Sequence, residues 1–335
     1  MEDAVNVAPA ERYTPADDLW VVTTYFNPAE YRRKRTSYEA FRESISAAGL
    51  HLMTIECAFG DRPFGLPAED DVIQVRADHV MWQKERLLNL LLRRLPDHCT
   101  KVAWIDCDVL FENPDWAVET SRLLDSAPLV QPFSVAIRLP RDCATYSGVG
   151  VVRPSMAAVL DRDRRAALEG DYADHGDTGM AWAARRSLLA RHGLYDASIA
   201  GGGDHLFAHA ASGAWTGPCL ARLLGNGDGY RAHFMRWAER FHGDVRASIG
   251  VVSGSALHLW HGEPGDRRYV ERHRKLHAFS FDPEVDLRTG AGGCWEWASD
   301  KPDLHAWVAE YFHRRREDGA GNGRGSCGAS PSGRG

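Results

Sequence analysis

The chain has 335 residues, 44% hydrophobic and 26% charged, with a formal net charge of -6 and a mean hydropathy of -0.38. That is long enough for one large α/β domain with a buried core, too polar for an integral membrane protein, and too acidic for general nucleic-acid binding, which draws on a basic surface. No stretch approaches eighteen uncharged apolar residues and the first residues are acidic where a signal peptide is basic, so a cytoplasmic protein with no membrane insertion is expected.

Residues 1–16 read as a flexible leader. Residues 19–25 (LWVVTTY) are an apolar, β-branched run of buried-strand length, ended by Asn27-Pro28. From 28 to 48, Tyr31, Tyr38, Phe41, Ile45 and Ala48 recur at helical spacing, and Gly49 closes that helix. A strand over 50–57, a Gly/Pro loop, a short strand over 72–75 and a Leu-rich helix over 81–95 follow, stopped by Pro96. The run 101–106 (KVAWID) predicts a fourth strand, so strands and helices alternate as a mostly parallel sheet flanked by helices requires. Active sites of such sheets lie at the carboxyl ends of the strands.

Beyond this the periodicity weakens. Strands are expected over 129–135 and 148–152, and helices over 155–168, 180–190, 204–211 and 304–315. Residues 317–335 are low in complexity and lack the apolar side chains that offset ordering entropy, so a disordered tail is expected. The domain expected between leader and tail spans 17–316: a nucleotide-binding half to 110, an acceptor half over 111–280 and a helical segment over 281–316. Seven scattered cysteines without a C-x-x-C pair predict reduced thiols, with neither a disulfide framework nor a structural zinc site.

Three constellations carry chemistry. Asp106-Cys107-Asp108 leaves the end of an apolar strand, where two carboxylates one residue apart reach a common Mg²⁺ or Mn²⁺; a solvated turn is the bland alternative. The run Gly201-Gly202-Gly203 delivers Asp204 to the start of a helix, where the acid serves as a general base or simply as a cap. His258 and His261 stand three apart ahead of Arg267, Arg268, Arg272 and Arg274; a neutral imidazole completes a metal's ligands and guanidiniums grip phosphate, although lone histidines and basic runs are usually structural.

In order, these stretches resemble the nucleotide-sugar-dependent glycosyltransferases of the GT-A fold, in particular the β-1,4-galactosyltransferase-like and family 2-like members. The residues 82–89 (WQKERLLN) look like the segment FNRAKLLN, Asp106-Cys107-Asp108 like the metal-binding D-x-D, and Gly201-Gly202-Gly203-Asp204 like the acidic loop G-G-E-D, with Gly203 where the family has glutamate. The resemblance implies donor contacts from Thr23, Thr24, Tyr25, Glu56, Lys84 and Asp106, and Mn²⁺ or Mg²⁺ held by Asp106, Asp108 and His261. It further implies Asp204 as base in an inverting displacement, Trp182, Gly202 and Gly203 on the acceptor side, a UDP-sugar as first-choice donor and a saccharide or other hydroxyl acceptor. Two rivals are a haloacid-dehalogenase-type phosphatase, because WIDCDVLF also looks like that family's D-x-D, and a sugar- or nucleotide-binding module without catalysis.

Overall fold

A computed structural model describes residues 18–319 apart from 216, 226 and 227; the leader and residues 320–335 of the tail lie outside the described residues. The elements are, in order, β1 (Leu19–Tyr25), α1 (Arg32–Ala47), β2 (His51–Phe59), β3 (Val72–Ala77), α2 (Lys84–Leu92), β4 (Lys101–Ile105), β5 (Val109–Phe111), α3 (Trp116–Ser126), β6 (Leu129–Gln131), β7 (Val135–Arg138) and β8 (Val151–Pro154). Then come α4 (Met156–Arg162), α5 (Arg164–Glu169), β9 (Ala181–Arg185), α6 (Arg186–His192), α7 (Gly203–Ser212), α8 (Pro218–Leu224), α9 (Asp228–Val245), β10 (Ile249–Val251) and β11 (Ser255–His258). The chain closes with α10 (Glu271–Ala278), α11 (Pro283–Asp286), β12 (Leu287–Thr289), β13 (Trp295–Trp297) and α12 (Pro302–Arg314).

Seven strands form the main sheet in the order β10-β6-β9-β4-β1-β2-β3. β1, β2, β3 and β4 run parallel, as does the pair β6 and β10, while β9 runs antiparallel between β4 and β6. The expected α/β architecture with a mostly parallel sheet is therefore present, and strands from both sequence halves share that sheet. One apolar core packs α2, α6, α7 and α9 on one face; the other packs α1 and α3, with Phe41, Trp116 and Phe133 buried. A second sheet, β5-β11-β7-β8, opens directly after the end of β4.

Several predicted elements are corrected. The helix expected over 180–190 begins only at Arg186, because Ala181–Arg185 is paired with β4 on one side and β6 on the other; ladder bonds in the sheet interior override a weak helical pattern. The expected helix over 155–168 is two helices, since Ser155 caps the first through Ala158 N–H and Asp163 caps the second through Ala166 N–H. The single strand over 129–135 is β6 and β7 in different sheets, and that over 148–152 begins only at Val151. Cys57, Cys99, Cys107, Cys219 and Cys294 are free thiols, but Cys143 is disulfide-bonded, which corrects the expectation of reduced thiols at that position.

The tail also begins later than expected. Glu317 is buried against the Arg315 guanidinium at 2.6 Å, and the Asp318 carboxylate accepts hydrogen bonds from the N–H groups of Arg32 and Arg33, at 3.1 and 2.8 Å. Tyr31, the residue capping α1, makes no such bond with its own side chain, so Asp318 satisfies donors the helix start leaves open. Asp318→Ala should cost about 0.5–2 kcal/mol, read as a lower urea midpoint at unchanged slope.

Candidate active site

The end of β4 sets the site. Asp106 N–H donates to the Met180 carbonyl at 2.8 Å and Val109 N–H to the Asp106 carbonyl at 3.1 Å, so the chain turns within Asp106-Cys107-Asp108 straight into β5. β5 pairs antiparallel with β11 in a register that puts His258 opposite Val109, and Leu259 N–H donates to the Asp108 carbonyl at 2.8 Å. Strand pairing thus delivers two histidines, 150 and more residues away in sequence, to the Asp108 carboxylate.

His258 Nε2 lies 3.4 Å from Asp108 Oδ1 and His261 Nδ1 lies 3.0 Å from Asp108 Oδ2. The three side chains present donor atoms all within 4.8 Å of one another. Asp108 Oδ1 and both nitrogens of His261 are buried without a hydrogen-bond partner: the short Asp108–His261 approach lacks hydrogen-bonding geometry. Burial, helped by the Arg267 guanidinium, pushes His261 down to about 3, so its ring is neutral and able to ligate. Burial would raise the Asp108 carboxyl, but the two imidazoles outweigh it and hold the group well below the usual range. Arg267 anchors the turn by donating to the His261 carbonyl at 3.0 Å, a positioning role in place of the phosphate grip read from sequence. One carboxylate and two imidazoles fit a first-row dication such as Mn²⁺ better than Mg²⁺, which prefers oxygen.

Asp106 is not in that trio. Its Oδ1 lies 2.5 Å from Lys84 Nζ, and the same ammonium holds Asp204 at 2.8 and 2.9 Å. Burial works against the Lys84 charge, yet the Asp106 and Asp204 carboxylates more than offset it and raise the group above its ordinary value. Asp204 is itself raised, by burial first and by the charge of Asp106, with Lys84 restraining the rise. Asp106 and Asp204 keep about a quarter of their side-chain surface open (29% and 24%), so solvent and ligands reach them. Asp177 completes the acidic wall. It pairs with Arg138 at 2.5 Å, and its Oδ1 and Asp204 Oδ2 lie 3.6 and 3.8 Å from where a Gly179 Cβ would stand.

The segment 82–89 is the mechanical hub. Lys84 opens α2; Trp82 N–H donates to Ile199 O, Gln83 exchanges two hydrogen bonds with the Trp295 backbone, and Asn89 exchanges two with Leu194. These bonds fix the loop 194–204 that carries Asp204. At its end Gly202, in a left-handed conformation (φ 92°), caps α7 against His273, and a Cβ there would stand 3.0 Å from the imidazole. Gly203 faces the Glu85 carboxyl: a Cβ would come within 2.1 Å of Glu85 Oε1. An acid on α2 therefore fills the space that a side chain at 203 would take, which explains the glycine there. Burial, then the Asp204 charge, pushes Glu85 up to about 8, and its Oε1 has no partner.

Other expected residues lie elsewhere. Thr23 is buried and donates to the Ile105 carbonyl at 2.7 Å, tying β1 to β4; Thr24 and Tyr25 are buried beside it. Their successors Phe26 and Asn27 line a small concavity with Lys34 and Trp82 instead. Glu56 is buried with its carboxylate on the Leu66 N–H and the Gln74 amide at 3.2 Å each, so it shapes a loop and offers nothing to a ligand. Trp182 is 1% exposed on β9, facing Phe207, because the segment is a strand and not the helix expected; it is core, not an acceptor platform. A larger cavity, about 510 Å³, opens between α10 and α12 and contains none of the acidic residues of the cleft. Sequence reasoning passed over Asp177, Arg138 and Glu85; the turn Asp177-Thr178-Gly179 was the available signal for the first.

No family model and no curated protein matches the chain. Among solved structures it is similar to a Drosophila β-1,4-galactosyltransferase 7 mutant in complex with manganese, UDP-Gal and xylobiose: 9% identity, 87% of this chain and 98% of that one covered, TM-score 0.40. A complex of that enzyme's catalytic domain with xylobiose gives 13% identity and TM-score 0.32; 61% of this chain is covered and the match spans 65% of that chain's length. The 4-diphosphocytidyl-2C-methyl-D-erythritol synthase of Anaerococcus prevotii gives 13% identity, 71% and 87% coverage and TM-score 0.34. Likeness this distant leaves the functional reading to the side chains of this chain. No described helix is long and apolar enough to cross a membrane.

Two measurements check the carboxyl packing. Gly203→Ala should destabilise the protein, while Gly203→Ala with Glu85→Ala should recover stability beyond additivity, a coupling of about 1–3 kcal/mol in a double-mutant cycle. Glu85 titrates near 8 when folded and at its ordinary 4.5 when unfolded, so between those values the folded state binds the extra proton and stability falls as pH rises. Glu85→Gln should flatten that decline by a few kcal/mol in urea titrations at pH 5 and pH 8.

Proposed function

We propose that this protein is a metal-dependent glycosyltransferase of the GT-A type, moving a sugar from a nucleotide-diphosphate-sugar donor, UDP-sugars first, to a saccharide hydroxyl with inversion. The observation that carries the reading is the Lys84 ammonium joining Asp106 to Asp204, beside the Asp108–His258–His261 trio. Asp108, His258 and His261 would hold a divalent cation, which would supply positive charge for a diphosphate leaving group.

The remaining work falls to the chain's own groups. Asp204 takes the proton of the acceptor hydroxyl as that oxygen attacks, and its raised proton affinity suits a base working near neutral pH. Lys84 keeps Asp204 and Asp106 at fixed separation from one another, which orients the base. Asp177, held by Arg138, and the partly exposed Gly202 face the acceptor side.

A panel of nucleotide-sugars should show one donor whose stabilisation against heat requires Mn²⁺. Asp204→Asn should keep that stabilisation and lose about 10²–10⁴-fold in transfer rate, whereas Asp108→Asn should lose the Mn²⁺ dependence itself. Full turnover in both variants, or hydrolysis of a generic aryl phosphate by the wild type, would remove the assignment.

A further inference from the structure

On the far side of α7 from Gly203 stands a second cluster that the proposed transfer does not use. His205 and His209 lie one turn apart on α7 and so share a face. His175 comes from the loop before Asp177, and Cys219 from α8. All four are buried, at 7%, 0%, 2% and 0% exposure respectively. Their ligating atoms lie within 4.8 Å of one another, and the imidazole ring centroids are 4.5 to 5.3 Å apart.

The tautomers follow from the neighbours. His175 Nδ1 lies 2.8 Å from the Gly176 carbonyl and His209 Nδ1 2.9 Å from the Ala214 carbonyl. A carbonyl only accepts, so each Nδ1 carries the proton and each Nε2 presents a bare lone pair. His205 Nδ1 has Thr178 Oγ1 at 3.4 Å. The Nε2 atoms of all three histidines are buried with no partner. An unsatisfied buried acceptor destabilises a fold, and three converging on one point and one thiol go unrewarded in an ordinary core. Backbone carbonyls holding the opposite nitrogens are the outer shell that metal-ligating histidines use.

We propose that His175, His205, His209 and Cys219 form a tetrahedral zinc site that fastens α7 to α8 and to the loop 170–178. Three imidazoles and one thiolate, with four donors and no open position, make a closed structural set for Zn²⁺. The nearest oxygen, Asp171 Oδ1, lies 3.2 Å from the Cys219 sulfur but is committed to Arg222, whose two nitrogens reach that carboxylate at 2.6 Å each. Ligand atoms around Zn²⁺ stand about 3.3–3.6 Å apart, given bonds of about 2.0–2.3 Å, so small side-chain rotations close the observed spacing. Burial pushes His209 down to about 4 and His205 and His175 in the same direction, so the rings are neutral ligands at working pH. On binding, the Cys219 thiol gives its proton to solvent and the sulfur lone pair to the metal. His205 follows Asp204 directly, so the ion braces the helix turn that presents that acid, whatever reaction the cleft performs.

The test uses the full chain purified without a histidine tag or chelator. Elemental analysis should find one zinc per chain, and the protein stripped of zinc should take up Co²⁺ with the intense visible bands of a tetrahedral site and a thiolate-to-cobalt charge-transfer band. Cys219→Ser should abolish the charge-transfer band and His209→Gln should lose the zinc, while Asp108→Asn retains both. Folded wild type that holds no zinc and gives no tetrahedral Co²⁺ spectrum would overturn the site, as would zinc lost in Asp108→Asn and kept in the Cys219 and His209 variants. Should either of those two variants fail to fold, the wild-type cobalt spectrum alone decides.

Discussion

A single buried ammonium organises the cleft. Lys84 opens α2, where the Trp82, Gln83 and Asn89 hydrogen bonds fix the backbone to two remote loops, and its charge is surrounded by Asp106 and Asp204. An ammonium this far out of water is tolerable only beside such partners, because removing them leaves its charge uncompensated. The pairing therefore constrains three chain segments at once: the end of β4, the start of α2 and the start of α7. Everything the cleft can do depends on that relative placement.

The second constraint is strand register. Because β5 leaves the β4 turn and pairs with β11, a shift of one residue would turn His258 to the other face and withdraw it from Asp108. The Arg267 bond to the His261 carbonyl then sets the second imidazole. The Asp108–His258–His261 trio is thus built by sheet geometry, while the Lys84–Asp204 pair is built by helix starts. The two devices meet across Cys107, the single residue that separates Asp106 from Asp108.

Glu85 and Gly203 show how packing redistributes chemistry. An acid is absent from the loop where the resembling family carries one, and a buried acid appears on α2 against the vacated Cα. A carboxyl group therefore stands within reach of Asp204, but it arrives from another element and burial disfavours its charge. The cluster of His175, His205, His209 and Cys219 behind α7 extends the same logic, since helix α7 carries an acid at one end of its first turn and ligating imidazoles on its buried face.

Much of the architecture was legible locally. The alternation of β1, α1, β2, β3, α2 and β4 follows from apolar periods of two and 3.6, and a carboxylate pair after KVAWI had to emerge at a strand's carboxyl end. Asp204 could be singled out because three glycines deliver it to a helix start, and Lys84 because its segment WQKERLLN carries the resemblance. Local pattern misjudged the segment around Trp182, since five residues between two strands take their conformation from their ladder partners; Thr23 and Glu56 were expected at a donor from the resemblance alone, and internal carbonyl and amide groups engage both.

What the sequence determined by itself was the opening run of elements, β1 to β4 with α1 and α2, and the residues near their ends, because burial and capping are decided within a few residues of the chain. What only the tertiary structure decided was who meets whom: Asp106 with Lys84 instead of the metal trio, His258 with Asp108, Glu85 with Gly203, and the three buried histidines with Cys219. Those meetings depend on strand register and helix docking across separations of about 20 to 150 residues, and no spacing along the chain encodes such a distance.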